Sequence, residues 1–269
     1  MLLEYVLKRP RAWLLAHDTD PLDPAQVQRF DQLVQRRRSG EPMAYLVETR
    51  EFMGHDFYVA PGVLIPRPDT ELLVETALRC IREARACSDG HPHGDSLPLP
   101  AVEPVSVLDL GTGSGAVAIS IALGCPQSRV VGSDISCDAL EIARRNATAL
   151  NAQVDWRQGS WYEVLESTER FDLIVSNPPY IAQDDPHLEE GDLRFEPRGA
   201  LTDGADGLRD LTALIVGART HLKPNGALWL EHGWQQAPSV RTQLEAAGFR
   251  NVSSLNDLAG IARISGGTL

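Results

Sequence analysis

The chain is predicted to be an α/β protein: a parallel sheet covered on both faces by helices, behind a short helical segment and a hairpin. From Val105 onward, strand-forming runs alternate with helix-forming ones, the order that crossover connections turn into a parallel sheet. Gly111-Thr112-Gly113-Ser114-Gly115 lies directly between the first such strand and helix. Glycines there allow a tight turn and let a ligand approach the backbone at the helix's amino end. Phe171 to Val175 is an apolar run that stops at Asn177-Pro178-Pro179-Tyr180. Pro179 has no amide hydrogen and keeps Pro178 out of the helical region, so the chain leaves the sheet extended. Asn177 is thereby placed at a strand's carboxyl end, where open α/β sheets bind ligands. A plain strand-terminating turn would use the same four residues.

Taken from the start, Met1 to about Gly40 reads as helical. Asp23 caps a helix that begins at Pro24, and Val27, Phe30, Leu33 and Val34 share one face until Gly40. Such a face predicts a small bundle. Met1-Leu2-Leu3 begins in mid-pattern without a cap, as if earlier turns were missing. Glu51-Phe52 and Phe57-Tyr58-Val59 flank Met53-Gly54-His55-Asp56 as a hairpin does. Pro66 and Pro68 then hold Arg67 in an extended arm, and Asp69 or Thr70 caps the next helix. Arg67 serves either a ligand or a neighbouring carboxylate. The expected boundaries are a helical domain at 1–42, a hairpin linker at 43–68 and the α/β domain at 69–269. Within that domain the proline-rich stretch 87–104 is read as a mobile surface loop. Its His91 and His93 have no third ligand nearby, so no metal site is expected.

Five strands are expected after Pro104: Val105–Leu110, Arg129–Gly132, one from Val154, one from Phe171, and Ala227–Leu230. Two shorter strands follow in the tail.

Composition narrows the function. The chain has 269 residues, 43% apolar and 23% charged, enough for one large domain with a small appendage. No apolar run approaches the roughly 20 residues that span a bilayer, and the start lacks a secretory layout. Cys80, Cys87, Cys125 and Cys137 show no metal-type spacing and read as buried thiols in a reducing cytoplasm. Net charge is −12, from 25 basic and 37 acidic residues. That balance argues against a protein gripping duplex phosphates. Arg36-Arg37-Arg38 reads as a solvated helix end.

The glycine turn fits two ligands. Gly111 to Ala116 satisfies a loose dinucleotide pattern, with Asp134 about twenty residues on as a ribose-binding carboxylate. Asp109, just before the turn, would repel a pyrophosphate and suits a ligand with ammonium and sulfonium cations. The residues thus favour S-adenosylmethionine over a nicotinamide or flavin cofactor. Trp161 follows the third strand, either flanking an adenine or filling the core.

With Asn177-Pro178-Pro179-Tyr180 after the fourth strand, the chain resembles methyltransferases that modify amide or amino nitrogens. Within that group it is most similar to the bacterial peptide chain release factor glutamine methyltransferases. The resemblance runs through Arg38–Tyr45, Leu64–Glu71, Val107–Gly115, Asp185–Pro197 and Glu231-His232-Gly233-Trp234, and so covers nearly the whole chain. It implies a Rossmann-like, seven-stranded class I methyltransferase domain behind a small helical substrate-recognition domain. It also implies contacts to S-adenosylmethionine from Gly111, Thr112, Gly113, Ser114, Gly115, Asp134, Trp161 and Asn177. The acceptor it implies is a glutamine side chain held by Asn177, Pro178, Pro179 and Tyr180, in the Gly-Gly-Gln motif of class I release factors. The enzyme would be a cytoplasmic monomer without direct nucleic-acid contact. The chain departs from the family in a short first helical segment, in Val47-Glu48 where a glycine is common, and in a longer 87–104 loop. An adenine-N6 methyltransferase of DNA or RNA shares the tetrapeptide but should bring a basic groove or a target-recognition domain. A cofactor-binding module without turnover is the other rival.

Overall fold

The computed structural model describes residues 1–88 and 103–269. His91, His93 and most of the expected 87–104 loop lie outside the described residues. Three short helices open the chain: α1 (Leu2–Leu7), α2 (Arg11–Ala16) and α3 (Pro24–Arg38). Asp23 caps α3 as expected, its carboxylate accepting from the Ala25 amide at 2.7 Å. The apolar face of α3 is narrower than the spacing implied. Leu33 is buried, whereas Val27 stays 40% exposed. A fourth helix, α4 (Met43–Val47), lies inside the stretch read as hairpin linker. Its Leu46 packs with Val6 and Leu33 and closes the small bundle.

The hairpin follows as β1 (Thr49–Phe52) and β2 (His55–Tyr58), paired antiparallel. An extended arm then runs to a single 3₁₀ turn, Pro68–Thr70, and into α5 (Glu71–Ser88). Thus Cys87 and Ser88 end a helix and do not begin the loop.

Seven strands form the main sheet: β3 (Ser106–Leu110), β4 (Arg129–Asp134), β5 (Asp155–Gln158), β6 (Phe171–Ser176), β7 (Leu222–Glu231), β8 (Arg250–Asn256) and β9 (Ala262–Thr268). Their spatial order is β5-β4-β3-β6-β7-β9-β8. The first five are parallel as expected. β9 is antiparallel to both β7 and β8, because the link between β8 and β9 is far too short for a crossover.

Both faces are covered, which explains why the central strands are largely apolar, with polar residues such as Asp109 and Ser176 near their carboxyl ends. Side chains alternate by face. Val107, Leu173, Val175 and Trp229 pack under α5 and α6 (Ala116–Gly124). Leu108, Leu110, Ile174 and Leu228 pack under α9 (Arg209–His221) and α10 (Ala237–Ala246). Helix α7 (Cys137–Leu150) covers β4 and β5, and α8 (Arg198–Leu201) lies between β6 and α9. Cys125 is buried as expected, but Cys80 is half-buried and Cys137 exposed. Cys137 is the first residue of α7 and projects beyond its apolar face.

Candidate active site

Successive strands run outward from β3 in one direction through β4 and β5. The chain then returns to the other side of β3 with β6. This reversal opens a crevice above the carboxyl ends of β3 and β6, the usual ligand position in such sheets. The Ser176 hydroxyl donates to the Leu110 carbonyl at 2.6 Å and pins the two strand ends together. The glycine turn and the Asn-Pro-Pro-Tyr segment therefore start side by side.

Backbone hydrogen bonds shape the glycine turn. The amides of Gly111 and Thr112 both donate to the Ser133 carbonyl at 2.9 Å. The Gly113 amide donates to Asp134 Oδ2 at 2.8 Å, and the Ser136 amide to Asp134 Oδ1 at 2.9 Å. Gly113 has φ 56°, and a Cβ there would point into open space above the turn. Gly115 has a different job. At φ 81° its Cβ would stand about 3 Å from Ile119, Trp156 and Ala143, so glycine lets α6 close against β5 and α7.

A cavity of about 580 Å³ opens here, lined by Gly111, Thr112, Gly113, Ser114, Asp134, Trp161, Asn177 and Pro179 among the predicted residues. That size suits a small-molecule site. Gly115, Pro178 and Tyr180 do not line it. Pro178 is buried, and Tyr180 turns its hydroxyl to Glu231 Oε1 at 3.1 Å. Trp161 edges the cavity over Gly111 and also packs on the core.

The floor of the cavity is acidic. Asp109 is 1% exposed and accepts from the Thr112 hydroxyl at 2.5 Å. Burial pushes its pKa up to about 7, opposed by Thr112 and the Ala118 amide. Asp134 is raised by the same cause. Two desolvated acids facing one cavity suit a ligand that carries positive charge.

Several contributors lie beyond the reach of sequence patterns. Ile135, Ser136, Thr202, Arg209 and Asp210 complete the walls. Asn146, mid-helix in α7, is 1% exposed. Its Nδ2 donates to the carbonyls of Ser114 and Tyr58, and its Oδ1 accepts from the Tyr58 amide at 2.8 Å. It thereby fastens the hairpin to the glycine turn. Arg67 lines the cavity and also pairs with Glu196, which further accepts from the Ile65 amide at 3.1 Å. The neighbouring-carboxylate reading of Arg67 thus holds, with its guanidinium still at the cavity wall. The cap expected from Asp69 or Thr70 gives way to other partners. Asp69 pairs with Arg263 at 3.2 Å, and the Thr70 hydroxyl accepts from Asn177 Nδ2 at 3.1 Å.

Among the described residues no cluster fit to hold a metal is found, and no helix is long and apolar enough to cross a membrane.

The chain is similar to known proteins in sequence and in fold. A family model described as "Methyltransferase small domain" matches residues 96–191, and one described as "PrmC N-terminal domain" matches residues 1–47. Among solved structures, a methyltransferase from Pyrococcus furiosus superposes with a TM-score of 0.55 at 18% identity, covering 88% of this chain and 98% of that one. That likeness concerns the fold alone. Relatives over the whole length are nearer. The release factor glutamine methyltransferase of Bordetella pertussis is 56% identical over 269 residues, 100% of this chain and 93% of its own. That of Burkholderia pseudomallei is 49% identical over 275 residues, 100% and 90%. Identity this high, running through bundle, hairpin and sheet alike, means that the chain belongs to the release factor glutamine methyltransferase family.

Proposed function

We propose that this protein transfers a methyl group from S-adenosylmethionine to the side-chain amide nitrogen of the Gly-Gly-Gln glutamine in class I peptide chain release factors. One observation carries the reading. Asn177 sits at the cavity wall with its Nδ2 committed to Thr70, so its Oδ1 is the atom left to accept a hydrogen from the substrate. An amide nitrogen is a poor nucleophile because its lone pair is delocalised into the carbonyl. Asn177 Oδ1 and the Pro178 carbonyl would each take one N–H of the glutamine, orienting the nitrogen and favouring the charge that develops on it. Tyr180 would support the segment from behind, since its hydroxyl is held by Glu231. Alignment of this kind supplies up to about 7–11 kcal/mol of barrier reduction in favourable systems. No side chain is nominated as a strong base, because the departing proton becomes acidic only as the new bond forms.

The cavity fits the cofactor by its own chemistry: open space over Gly113, and two desolvated acids, Asp109 and Asp134. S-adenosylmethionine, when bound, supplies an activated methyl group on a sulfonium. Gly111 to Ser114 would lie against it, Asp134 would take the ribose hydroxyls, Trp161 would flank the adenine, and Asp109 would face the cationic portion. Gly115 contributes through helix packing.

A pH dependence follows. Asp109 is partly protonated near neutral pH before a ligand arrives, and a cationic ligand draws it back to the carboxylate. Cofactor affinity is therefore expected to rise as pH increases through about 7 and then level off, with protons released on binding below that point. Calorimetry in buffers of different ionisation heat measures the release. An affinity that stays flat across neutral pH contradicts it.

The acidic chain and the family membership support a cytoplasmic enzyme acting on protein. Purified release factor and oligonucleotide duplexes, offered as alternative acceptors of labelled methyl groups, separate this reading from an adenine-N6 methyltransferase. Label on the release factor alone is expected; label on the duplex overturns it.

A further inference from the structure

Two braced turns rise beside the cavity wall. The first follows β7. Its Gly233 amide donates to Gln236 Oε1 at 2.8 Å, and Gln236 Nε2 donates in turn to the Tyr180 carbonyl at 3.0 Å. Gly233 is thereby tied to the Asn-Pro-Pro-Tyr segment, and the next residue is Trp234. The second turn is the tip of the β8–β9 hairpin. Asp257 holds it by accepting from the amides of Ala259 and Ile261 at 2.8 and 2.9 Å and from Arg263 Nε at 2.8 Å. Arg263 also pairs with Asp69, the residue before Thr70 on the cavity wall. Glu231 at the end of β7 is in register with Ile264 near the start of β9. Both turns therefore stand at the carboxyl edge of the sheet, on the side of the crevice where the tetrapeptide lies.

What these turns present to solvent is apolar. Trp234 is 64% exposed, and Leu258 and Ile261 are exposed with it. Among the described residues, the core clusters include none of the three. A single exposed apolar side chain needs no account, but three on two fixed turns at one edge of a site have the pattern of an interaction surface. The reaction says what covers it. The acceptor glutamine is one side chain of a whole protein, so when it enters the cavity the protein around it must lie over the residues that rim the opening. Tryptophan is favoured at the centre of such contacts, because it buries a large area while fixing few rotatable bonds. The braced turns reduce that cost further, since they are ordered before a partner arrives.

We propose that Trp234, with Leu258 and Ile261 on the neighbouring turn, is a docking anchor for the release factor, received by an apolar surface that borders its Gly-Gly-Gln loop. None of the three lines the cavity, so the contact adds binding and not chemistry. It is made equally before and during methyl transfer, and its loss should appear in KM and leave kcat alone. The proposal rests on the release factor being the methyl acceptor.

The test is steady-state methylation across a range of release factor concentrations, with cofactor affinity and thermal midpoint measured in parallel. Trp234→Ala is expected to raise KM for the release factor by about ten- to thirtyfold, the loss typical of an interface hot spot. Its kcat, cofactor affinity and thermal midpoint should stay near the parent. Trp234→Phe keeps much of the apolar area and is expected to raise KM by no more than about threefold. Leu258→Asp sets a charge on the same surface and is expected to raise KM by about three- to tenfold. Val216→Ala, at an exposed position midway along α9, should leave KM unchanged. Parental KM in Trp234→Ala, a fall in kcat with KM unchanged, or an equal rise in KM for Val216→Ala would each overturn the proposal. Should Trp234→Ala not fold, Leu258→Asp still decides it, and parental KM there is the contrary result. If the unaltered enzyme places no methyl group on the release factor, the proposed acceptor is at fault and not the docking surface.

Discussion

Replacing Asn177 by alanine is expected to cut kcat by about 10²–10³-fold, the scale on which one group aimed at developing charge acts in other enzymes. The side chain lines the cavity and is half-buried, at the end of a strand whose backbone is already held by Ser176 and Leu110. Its removal should leave the fold intact. Cofactor affinity is expected to fall only a few-fold, because the glycine turn, Asp109 and Asp134 remain. Rapid-quench turnover and equilibrium dialysis separate the two quantities. A variant that keeps near-parental kcat, or loses cofactor binding as severely as turnover, would show that the amide is not clamped as described.

Arg67→Ala is expected to act on stability. Glu196 has a side chain with 0% exposure and pairs with Arg67, whose own side chain is 32% exposed. Removing the guanidinium strands a buried carboxylate. Loss of one partner from a fully buried pair costs roughly 3–5 kcal/mol, and partial solvation of Arg67 lowers the expectation to about 2–3 kcal/mol at neutral pH. Burial already raises the Glu196 pKa above 4.5, and Arg67 is the first influence that holds it down. Without Arg67 the folded-state pKa rises further, so the folded variant binds the proton more tightly than the unfolded chain. Its deficit should be small in acid, where the carboxyl is protonated in both states, and grow as pH rises. Urea titrations of parent and variant at acid and neutral pH measure this. A variant as stable as the parent at neutral pH would contradict it. Glu196 joins the arm at Pro66-Arg67-Pro68 to the wall that ends in α8, so activity on release factor should fall with stability.

Much of this is legible in the chain itself. Period and punctuation placed the strands: apolar runs bounded by Gly111 and by Pro178-Pro179 could only end at one edge of a parallel sheet. Asp134 was found by its distance from the glycine turn, because a crossover of fixed length must bring the second strand's end beside the first. What stayed hidden depends on elements that meet only in three dimensions. Asn146 looks like an ordinary polar residue on a helix, yet it is buried against the hairpin. Thr70 looked like a helix cap, since local patterns reveal caps and not the Asn177 amide arriving from another strand. Glu231 carries no role in the linear pattern, and its bond from the Tyr180 hydroxyl needs β7 to sit beside β6. Gly115 matched a ligand-binding pattern although packing alone demands glycine there. The antiparallel β9 escaped as well, because alternation of strand and helix fails where a short link replaces the helix.

Transfer to a single glutamine is what separates this reading from every other methyl transfer. Radiolabelled S-adenosylmethionine should be incubated with the enzyme and a purified class I release factor, either unaltered or with its Gly-Gly-Gln glutamine replaced. Label is expected on the unaltered protein, within the peptide that carries the motif, and not on the replaced one. Label retained on the replaced protein would contradict the assignment.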